Sequence, residues 1–183
     1  EWNEPVHALR REALSLMPQL PEELRASLAL RLAFGIWALP QEEISALIEQ
    51  SIAVFKRTGY RWAEAMAYLV IGDWMGTSGG ERTWNNYWQS LEMMKELDNP
   101  WGTALALRSL AGLNFLLGEY QQAAELQQQS LALFRRLGDR WQATYCMLEL
   151  GQLAAAQGDY EAAVAWYQQS LAHVREIGDL GLL

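Results

Sequence analysis

Apolar side chains recur every three or four residues along most of this chain, which is the spacing of one face of an α-helix. Near the start, Val6, Leu9 and Leu14 share such a face, and the pattern predicts a helix from about residue 5 to residue 17. Pro18 ends this helix, because proline has no amide hydrogen and disfavours helix in the residue before it. No segment has the pattern of a strand.

The rest of the chain is predicted to be a series of helices separated by short turns. The predicted helices span residues 22–37, a segment from Pro40 to Lys56, and residues 61–75, 82–97, 100–117, 120–137, 140–157 and 160–177. Turn chemistry supports these limits, because glycine accepts the left-handed conformation that ends many helices, and Asp or Asn caps the first amides of the next one. Gly138 followed by Asp139, and Asn99 followed by Pro100, are such joints.

A close internal repeat covers the second half of the chain. Residues 118–124, Gly-Glu-Tyr-Gln-Gln-Ala-Ala, align with residues 158–164, Gly-Asp-Tyr-Glu-Ala-Ala-Val, and Trp101 aligns with Trp141 at the same offset of 40. A weaker copy occupies residues 50–62. A fixed period of this size is typical of stacked repeats, in which one unit cannot bury its apolar face alone. We therefore expect function to lie on a surface and not in a catalytic centre.

The repeat divides the chain into four units. The predicted units span residues 21–59, 60–99, 100–139 and 140–179, of which the first two are degenerate. Residues 1–20 are expected to form a leading helix that ends a preceding repeat, and residues 180–183 to begin a truncated next one. The sequence is therefore expected to be a piece of a longer helical array.

The third and fourth units carry a recurring set of small and large residues that resembles the tetratricopeptide repeat (TPR). The fourth unit has Met147, Leu150, Gly151, Gly158, Asp159, Tyr160, Ala163 and Tyr167 at the motif positions, and the third has Leu107, Leu110, Ala111, Gly118, Tyr120 and Ala123. In the third unit, Gln127 replaces the aromatic residue of the second helix. The resemblance implies an all-α fold, a right-handed superhelical solenoid of antiparallel helix pairs with about four repeats plus a leading helix.

The period of 40 is longer than the 34 residues that are commonest in TPR proteins. Together with the joint at residues 138–141, Gly-Asp-Arg-Trp, it resembles the long bacterial type in sensor domains of STAND (NB-ARC-like or NACHT-like) signalling ATPases and regulators. The resemblance implies a cytoplasmic signal-transduction module that binds a protein or peptide and contacts the rest of its parent chain. Two alternatives stay open: an array of a transcription regulator that senses a sugar or metabolite, and a scaffold attached to a caspase-like protease.

Charge and composition limit the partners further. The net charge of −8 argues against nucleic acid or an anionic membrane as the main partner, because both attract basic surfaces. No stretch approaches the roughly 20 apolar residues of a membrane span. Cys146 is the single cysteine, so no internal disulfide can form, and a cytosolic setting fits. We expect it to be a small buried hydrophobic residue.

No catalytic, cofactor or metal constellation is apparent in the sequence. His7 and His173 lie far apart on different predicted helices, without the spacing of a zinc site. The glycine-rich residues 76–80 lack the lysine of a phosphate-binding loop and are expected to be a shortened turn. The sequence therefore predicts a protein that is not an enzyme and holds no cofactor.

The tryptophans suggest two different roles. Trp62, Trp101 and Trp141 share a repeat phase and are expected to pack between neighbouring hairpins. Trp88 aligns instead with Gln128, a polar position, and is a candidate exposed contact, because tryptophan is enriched where partners bind. Two alternatives stay open, local repacking of the degenerate second unit and contact with a further domain. The glutamines at residues 127–129 are expected on a solvated outer face.

The resemblance implies that the first helix of each hairpin lines a concave, partner-binding groove. The residues placed there are Met66, Leu69, Asp73, Leu105, Arg108, Tyr145, Leu148 and Gln152. An apolar wall with one Arg and one Asp suits an extended peptide or a helix, whose position the charges would fix. The alternative, equally open, is an inner wall that packs on itself.

Overall fold

The computed structural model describes residue 12 and residues 15–33 and 41–178, and nearly all of them are helical. The α-helices of this part of the chain are α1 Glu22–Ala33, α2 Gln41–Thr58, α3 Arg61–Met75, α4 Glu81–Glu96, α5 Pro100–Leu116, α6 Tyr120–Leu137, α7 Arg140–Ala156 and α8 Tyr160–Ile177. Short 3-10 helices, Met17–Gln19 and Gly76–Gly79, precede α1 and α4. No strand occurs among the described residues.

The predicted helix limits agree closely with the structure. Helices α3, α6 and α8 begin and end at the predicted residues, and the described ends of the others lie within two residues of prediction. Most of the predicted helix at residues 5–17, and the last part of that at residues 22–37, lie outside the described residues. The limits of the repeats themselves stay a prediction.

The chain divides into two compact units, one reaching to Met93 and one starting at Met94. In the first unit, α1 packs on α2 and α2 packs on α3. In the second unit, α5 packs on α6, α6 on α7 and α7 on α8. Short turns join the helices of the second unit, so consecutive helices run antiparallel.

The core of the second unit lies between its packed helices. Its large side chains include Leu110, Leu131, Phe134, Met147 and Leu150, each 3% exposed or less. Full burial of such a side chain contributes about 1.5–3 kcal/mol. Three of them, Leu110, Met147 and Leu150, occupy the large positions of the TPR pattern. Residues of the TPR pattern are therefore part of the core of this unit.

The joint between α6 and α7 combines a left-handed glycine with a shared carboxylate. Gly138 has a φ of 70°, and its N–H donates to the carbonyl of Arg135 at 3.2 Å. Asp139 begins α7, because its Oδ1 accepts from the backbone N–H of Gln142 at 3.1 Å. Its Oδ2 accepts from the indole N–H of Trp101 at 2.9 Å. One carboxylate thus caps α7 and ties its start to α5.

Close helix packing occurs where an aromatic ring lies against a helical glycine. In the first unit, the ring of Tyr87 lies so close to Gly72 that an added methyl group would overlap it. Tyr87 is 5% exposed, and its hydroxyl donates to Oδ1 of Asp73 at 2.8 Å, so the ring is held in place. In the second unit, Tyr167 lies against Gly151 in the same way.

We expect Gly72→Ala to lower the free energy of unfolding by about 1–3 kcal/mol, because the new methyl group overpacks the contact with Tyr87. The matched control is Gly112→Ala, since a methyl group at this helical glycine meets no atom within 4 Å. That change should be neutral or stabilise by up to about 1 kcal/mol, the helix-propensity gain of alanine. Urea unfolding of both variants measures the difference, and equal effects would contradict the packing argument.

We expect Asp139→Ala to destabilise the fold more than Asp159→Ala. Asp159 caps α8 by accepting from the N–H of Ala162 at 2.9 Å, whereas Asp139 caps α7 and also binds Trp101. Loss of a cap costs about 1 kcal/mol, and the additional bond should add about 0.5–1.5 kcal/mol. Thermal unfolding of both variants, alone and with Trp101→Phe, tests this. The excess cost of Asp139→Ala should disappear once the indole N–H is absent.

Candidate functional site

Helices α5 and α7, the first helices of the third and fourth predicted repeats, carry the groove residues predicted in the second unit. Leu105 and Arg108 on α5 correspond to Tyr145 and Leu148 on α7, 40 residues later. Leu105 is 7% exposed and belongs to the core. Arg108 and Leu148 are half-buried, Tyr145 is 39% exposed, and Gln152 is exposed one turn beyond Leu148. Four of these five side chains therefore reach solvent.

Arg108 connects the two helices through three contacts. Its Nη1 donates to Oε1 of Gln142, and its guanidinium carbon lies 6.0 Å from the centre of the Tyr145 ring, a cation–π contact. Its Nε lies 3.9 Å from Oε2 of Glu149, a long ion pair. The side chain of Arg108 is still 29% exposed, so a ligand can reach it. The surface around it, which we name the α5/α7 face, consists of Arg108, Gln142, Tyr145, Leu148, Glu149 and Gln152.

A buried glutamine on α6 holds Glu149. Nε2 of Gln127 donates to Oε2 of Glu149 at 2.6 Å and to the carbonyl of Cys146 at 3.4 Å. Gln127 is 1% exposed. The prediction that residues 127–129 form a solvated face is therefore wrong for Gln127, whose amide turns inward to α7, although the next two residues are exposed.

Burial raises the pKa of Glu149 above its ordinary value of 4.5. The positive charge of Arg108 and the hydrogen bond from Gln127 both lower it, without cancelling the effect of burial. Removing a carboxylate from water disfavours its charged form unless partners compensate fully. Arg108 and Gln127 therefore compensate only in part for the loss of hydration at the Glu149 carboxylate.

Cys146 lies in the core beside this network, and its thiol is not a nucleophile. Burial raises the pKa of its thiol to about 11, so the thiol is protonated near neutral pH. Its Sγ lies 3.5 Å from Oγ of Ser130 in the core of the second unit. Cys146 is completely buried, as the sequence predicted.

The groove residues predicted in the first unit are partly buried and partly exposed. Met66 and Leu69 are each 2% exposed, so their side chains fill the core and offer no surface to a ligand. Asp73 is exposed and accepts the hydrogen bond from Tyr87. Burial raises the pKa of Tyr87, and the adjacent Asp73 carboxylate adds to that shift, so the hydroxyl stays a donor.

The tryptophans occupy several environments. Trp101 is half-buried and bonded across the α6–α7 joint, whereas Trp62 and Trp141 are 39% and 37% exposed. Trp88 is 43% exposed and stacks on Trp84, one turn earlier on α4, with ring centroids 6.3 Å apart and 12° between the planes. A role for Trp62 and Trp141 in packing between repeats, and a role for Trp88 in binding, stay predictions.

Three members of the polar network were absent from the sequence-based site: Gln127, Gln142 and Glu149. Helical spacing held a signal for two of them, since Gln142 and Glu149 lie three residues before and four after Tyr145, on the same side of α7. For Gln127 the signal was its place at an aromatic position of the TPR pattern. Neither signal reveals which partner each side chain meets.

Other site chemistry is not apparent in the described part of the chain. Within it, no three His, Cys, Asp or Glu side chains come together as metal ligands. Nδ1 of His173 lies 2.8 Å from Oγ1 of Thr144, a contact between α8 and α7, and His7 lies outside the described residues. Across residues 15–33 and 41–178, no helix combines the length and the apolar character needed to cross a bilayer.

Sequence comparison identifies the repeat that carries the α5/α7 face. Residues 102–176 match the tetratricopeptide repeat. This match includes α6, α7 and most of α5 and α8, and it supports a TPR array. Among curated proteins, none matches the chain in sequence.

Solved structures share the fold at low sequence identity. BtubC (BKLC) from P. vanneervenii is 19% identical with a TM-score of 0.75, over 94% of this chain and 73% of that one. The apo form of RapI is 17% identical with a TM-score of 0.76, over 95% and 64%. A Rap protein complexed with Competence and Sporulation Factor is 16% identical with a TM-score of 0.73, over 85% and 42%.

These similarities confirm the predicted fold class, an all-α, TPR-like solenoid of helix pairs. The chain spans less than two thirds of the length of both Rap proteins. The match to the tetratricopeptide repeat, whose arrays are protein-interaction modules, supports that general role for this chain.

The raised pKa of Glu149 predicts how Glu149→Gln changes stability with pH. Because the fold binds this proton more tightly than the unfolded chain does, the contribution of Glu149 is greatest below 4.5 and is lost as pH rises through the folded pKa. We expect the unfolding free energy of the parent, minus that of Glu149→Gln, to fall as pH rises above about 4.5. Urea unfolding at a series of pH values measures it.

Glu161→Gln is the control for this experiment. Glu161 lies exposed in the first turn of α8, so its replacement shows the effect of removing one acidic charge from the surface. A parent-minus-variant difference that rises with pH for Glu149→Gln would contradict the sign given above.

Proposed function

We propose that this chain is a non-catalytic module that binds a peptide or protein segment on the α5/α7 face. The proposal rests on one observation about Arg108. Its guanidinium is held by Gln142 and Tyr145, yet 29% of its side chain is exposed. A guanidinium held in this way loses little conformational freedom when it binds an acidic group. Tyr145 and Leu148 offer apolar surface beside it.

The similarities support this proposal at the level of fold. The residues of the α5/α7 face all fall within the segment that matches the tetratricopeptide repeat. One structure with the same fold is a Rap protein complexed with Competence and Sporulation Factor, which makes ligand recognition by an array of this kind a reasonable expectation. Repeat arrays bind along surfaces built by successive units, and here two such helices contribute to one face.

We extend the proposal to the parent protein. The period of 40 and the Gly-Asp-Arg-Trp joint resemble the sensor arm of a bacterial STAND-type signalling protein, acting in the cytoplasm. In that setting the ligand would change the activity of the parent only if it binds one of its states more tightly than another. Asp73 in the first unit and the exposed Trp88 are further contact candidates on the same chain.

A displayed library of short random peptides tests the binding site. We expect the parent protein to enrich peptides that carry acidic residues, and Arg108→Glu to weaken their binding by at least about tenfold, because the substitution replaces an attractive charge by a repulsive one. The matched control is Arg136→Glu on α6, which makes the same charge change at an exposed position. Fluorescence anisotropy of labelled peptides measures each affinity.

Several outcomes would contradict the proposal. Equal weakening by Arg108→Glu and Arg136→Glu would indicate an effect of net charge alone. Binding that is lost in Trp88→Ala and kept in Arg108→Glu would place the site on α4. Failure to enrich any peptide, with a small molecule retained in native mass spectra of the protein from its host, would favour the metabolite-sensing alternative.

A further inference from the structure

Gln127 occupies a repeat position at which two other helices carry a tyrosine, so it lacks the ring that those helices use for packing. Tyr87, Gln127 and Tyr167 lie 40 residues apart and occupy the same phase on α4, α6 and α8. The two tyrosine rings lie against the helical glycines Gly72 and Gly151, which closes their hairpins. Gln127 has no ring to place there. Helices α5 and α6 still pack on each other, and the side chain of Gln127 bonds to Glu149 on α7.

The amide of Gln127 reaches α7 and competes with Arg108 for one oxygen atom. Oε2 of Glu149 accepts from Nε2 of Gln127 at 2.6 Å, and the same Oε2 stands 3.9 Å from Nε of Arg108. A direct hydrogen bond between guanidinium and carboxylate is about 2.7–2.9 Å long. The carboxylate is therefore drawn to the neutral amide, and the ion pair with Arg108 stays open.

The gap between Arg108 and Glu149 matters because both side chains lie near the surface. Both side chains are partly exposed, 29% for Arg108 and 41% for Glu149, so solvent and a ligand reach them. The hydrogen bond of Arg108 goes to Gln142, whose neutral amide does not compensate the positive charge. If Glu149 closed on Arg108, it would occupy the donors that an acidic ligand group needs.

We propose that Gln127 is a positioning residue that holds the carboxylate of Glu149 away from Arg108, so that the guanidinium stays available to an acidic group of a bound peptide. The inference rests on the proposed function for the role of Arg108 as a ligand contact. Under this proposal, a completely buried side chain on α6 influences recognition at the α5/α7 face. A purely structural role for Gln127 would leave the interaction between Arg108 and Glu149 unchanged when its amide is removed.

The first experiment needs no ligand. The pKa of the Glu149 carboxyl is measured by carbon-detected NMR in the parent, in Gln127→Met, in Arg108→Gln and in the double variant. Arg108→Gln should raise this pKa in both backgrounds, because a positive charge beside the carboxylate is lost. The rise should be larger in the Gln127→Met background, where the pair has closed. An equal or smaller rise would overturn the proposal.

Two further variants keep this test decisive. Gln128→Met makes the same change at the next, exposed position and should leave the effect of Arg108→Gln as it is in the parent. Gln127→Asn retains a buried amide but shortens its reach by one methylene, and it should act like Gln127→Met. If Gln127→Met does not fold, as judged by near-ultraviolet circular dichroism, Gln127→Asn carries the measurement.

The second experiment uses the acidic peptides selected by the parent protein. Gln127→Met should weaken their binding by up to about fivefold, the equivalent of the surface ion pair that must now be broken. Unchanged affinity in Gln127→Met, with the pKa result as expected, would overturn the link to recognition. Absence of any selected peptide counts against the proposed function alone, since the NMR measurement does not depend on a peptide.

Discussion

Within each of the two units, the described helices bury apolar side chains against neighbouring helices, and this packing is the constraint on which the rest of the structure depends. The structure meets this constraint at contacts that fix helix positions closely. Tyr87 lies against Gly72, and Asp139 both begins α7 and binds Trp101 of α5. Because α5, α6 and α7 are packed in this way, Arg108 on α5 lies within reach of Gln142, Tyr145 and Glu149 on α7.

Within this periodic framework, one departure from the repeat creates the polar network. Where the neighbouring repeats place a tyrosine, Gln127 is buried and donates to Glu149. A buried amide is costly unless it is paired, so the glutamine requires an acceptor, and the carboxylate of Glu149 supplies it. The raised pKa of Glu149 shows that burial is the stronger influence on that carboxyl group. Packing and polar chemistry are therefore coupled at the α5/α7 face.

The similar solved structures show that sequences of low identity adopt this fold. Identities of 16–19% accompany TM-scores of 0.73–0.76, because the fold depends on apolar periodicity, small residues at close contacts and turn residues at joints. Side chains outside those positions vary without changing the fold, and recognition resides in them. Arg108, Tyr145 and Gln127 are such side chains in this chain. In the proposed function, the fold provides the binding surface and these residues determine its chemistry.

The sequence alone determined the helices, their turns and the period of the array, because these follow from local backbone preferences and from the spacing of apolar residues. It also predicted that Arg108 and Tyr145 lie on the first helices of neighbouring repeats, and their role in binding stays a proposal. Only the tertiary structure decided that Met66 and Leu69 are buried and that Gln127 turns inward. Exposure and pairing depend on which side chains of other helices lie within reach, and that distance is set by packing between segments far apart in the chain.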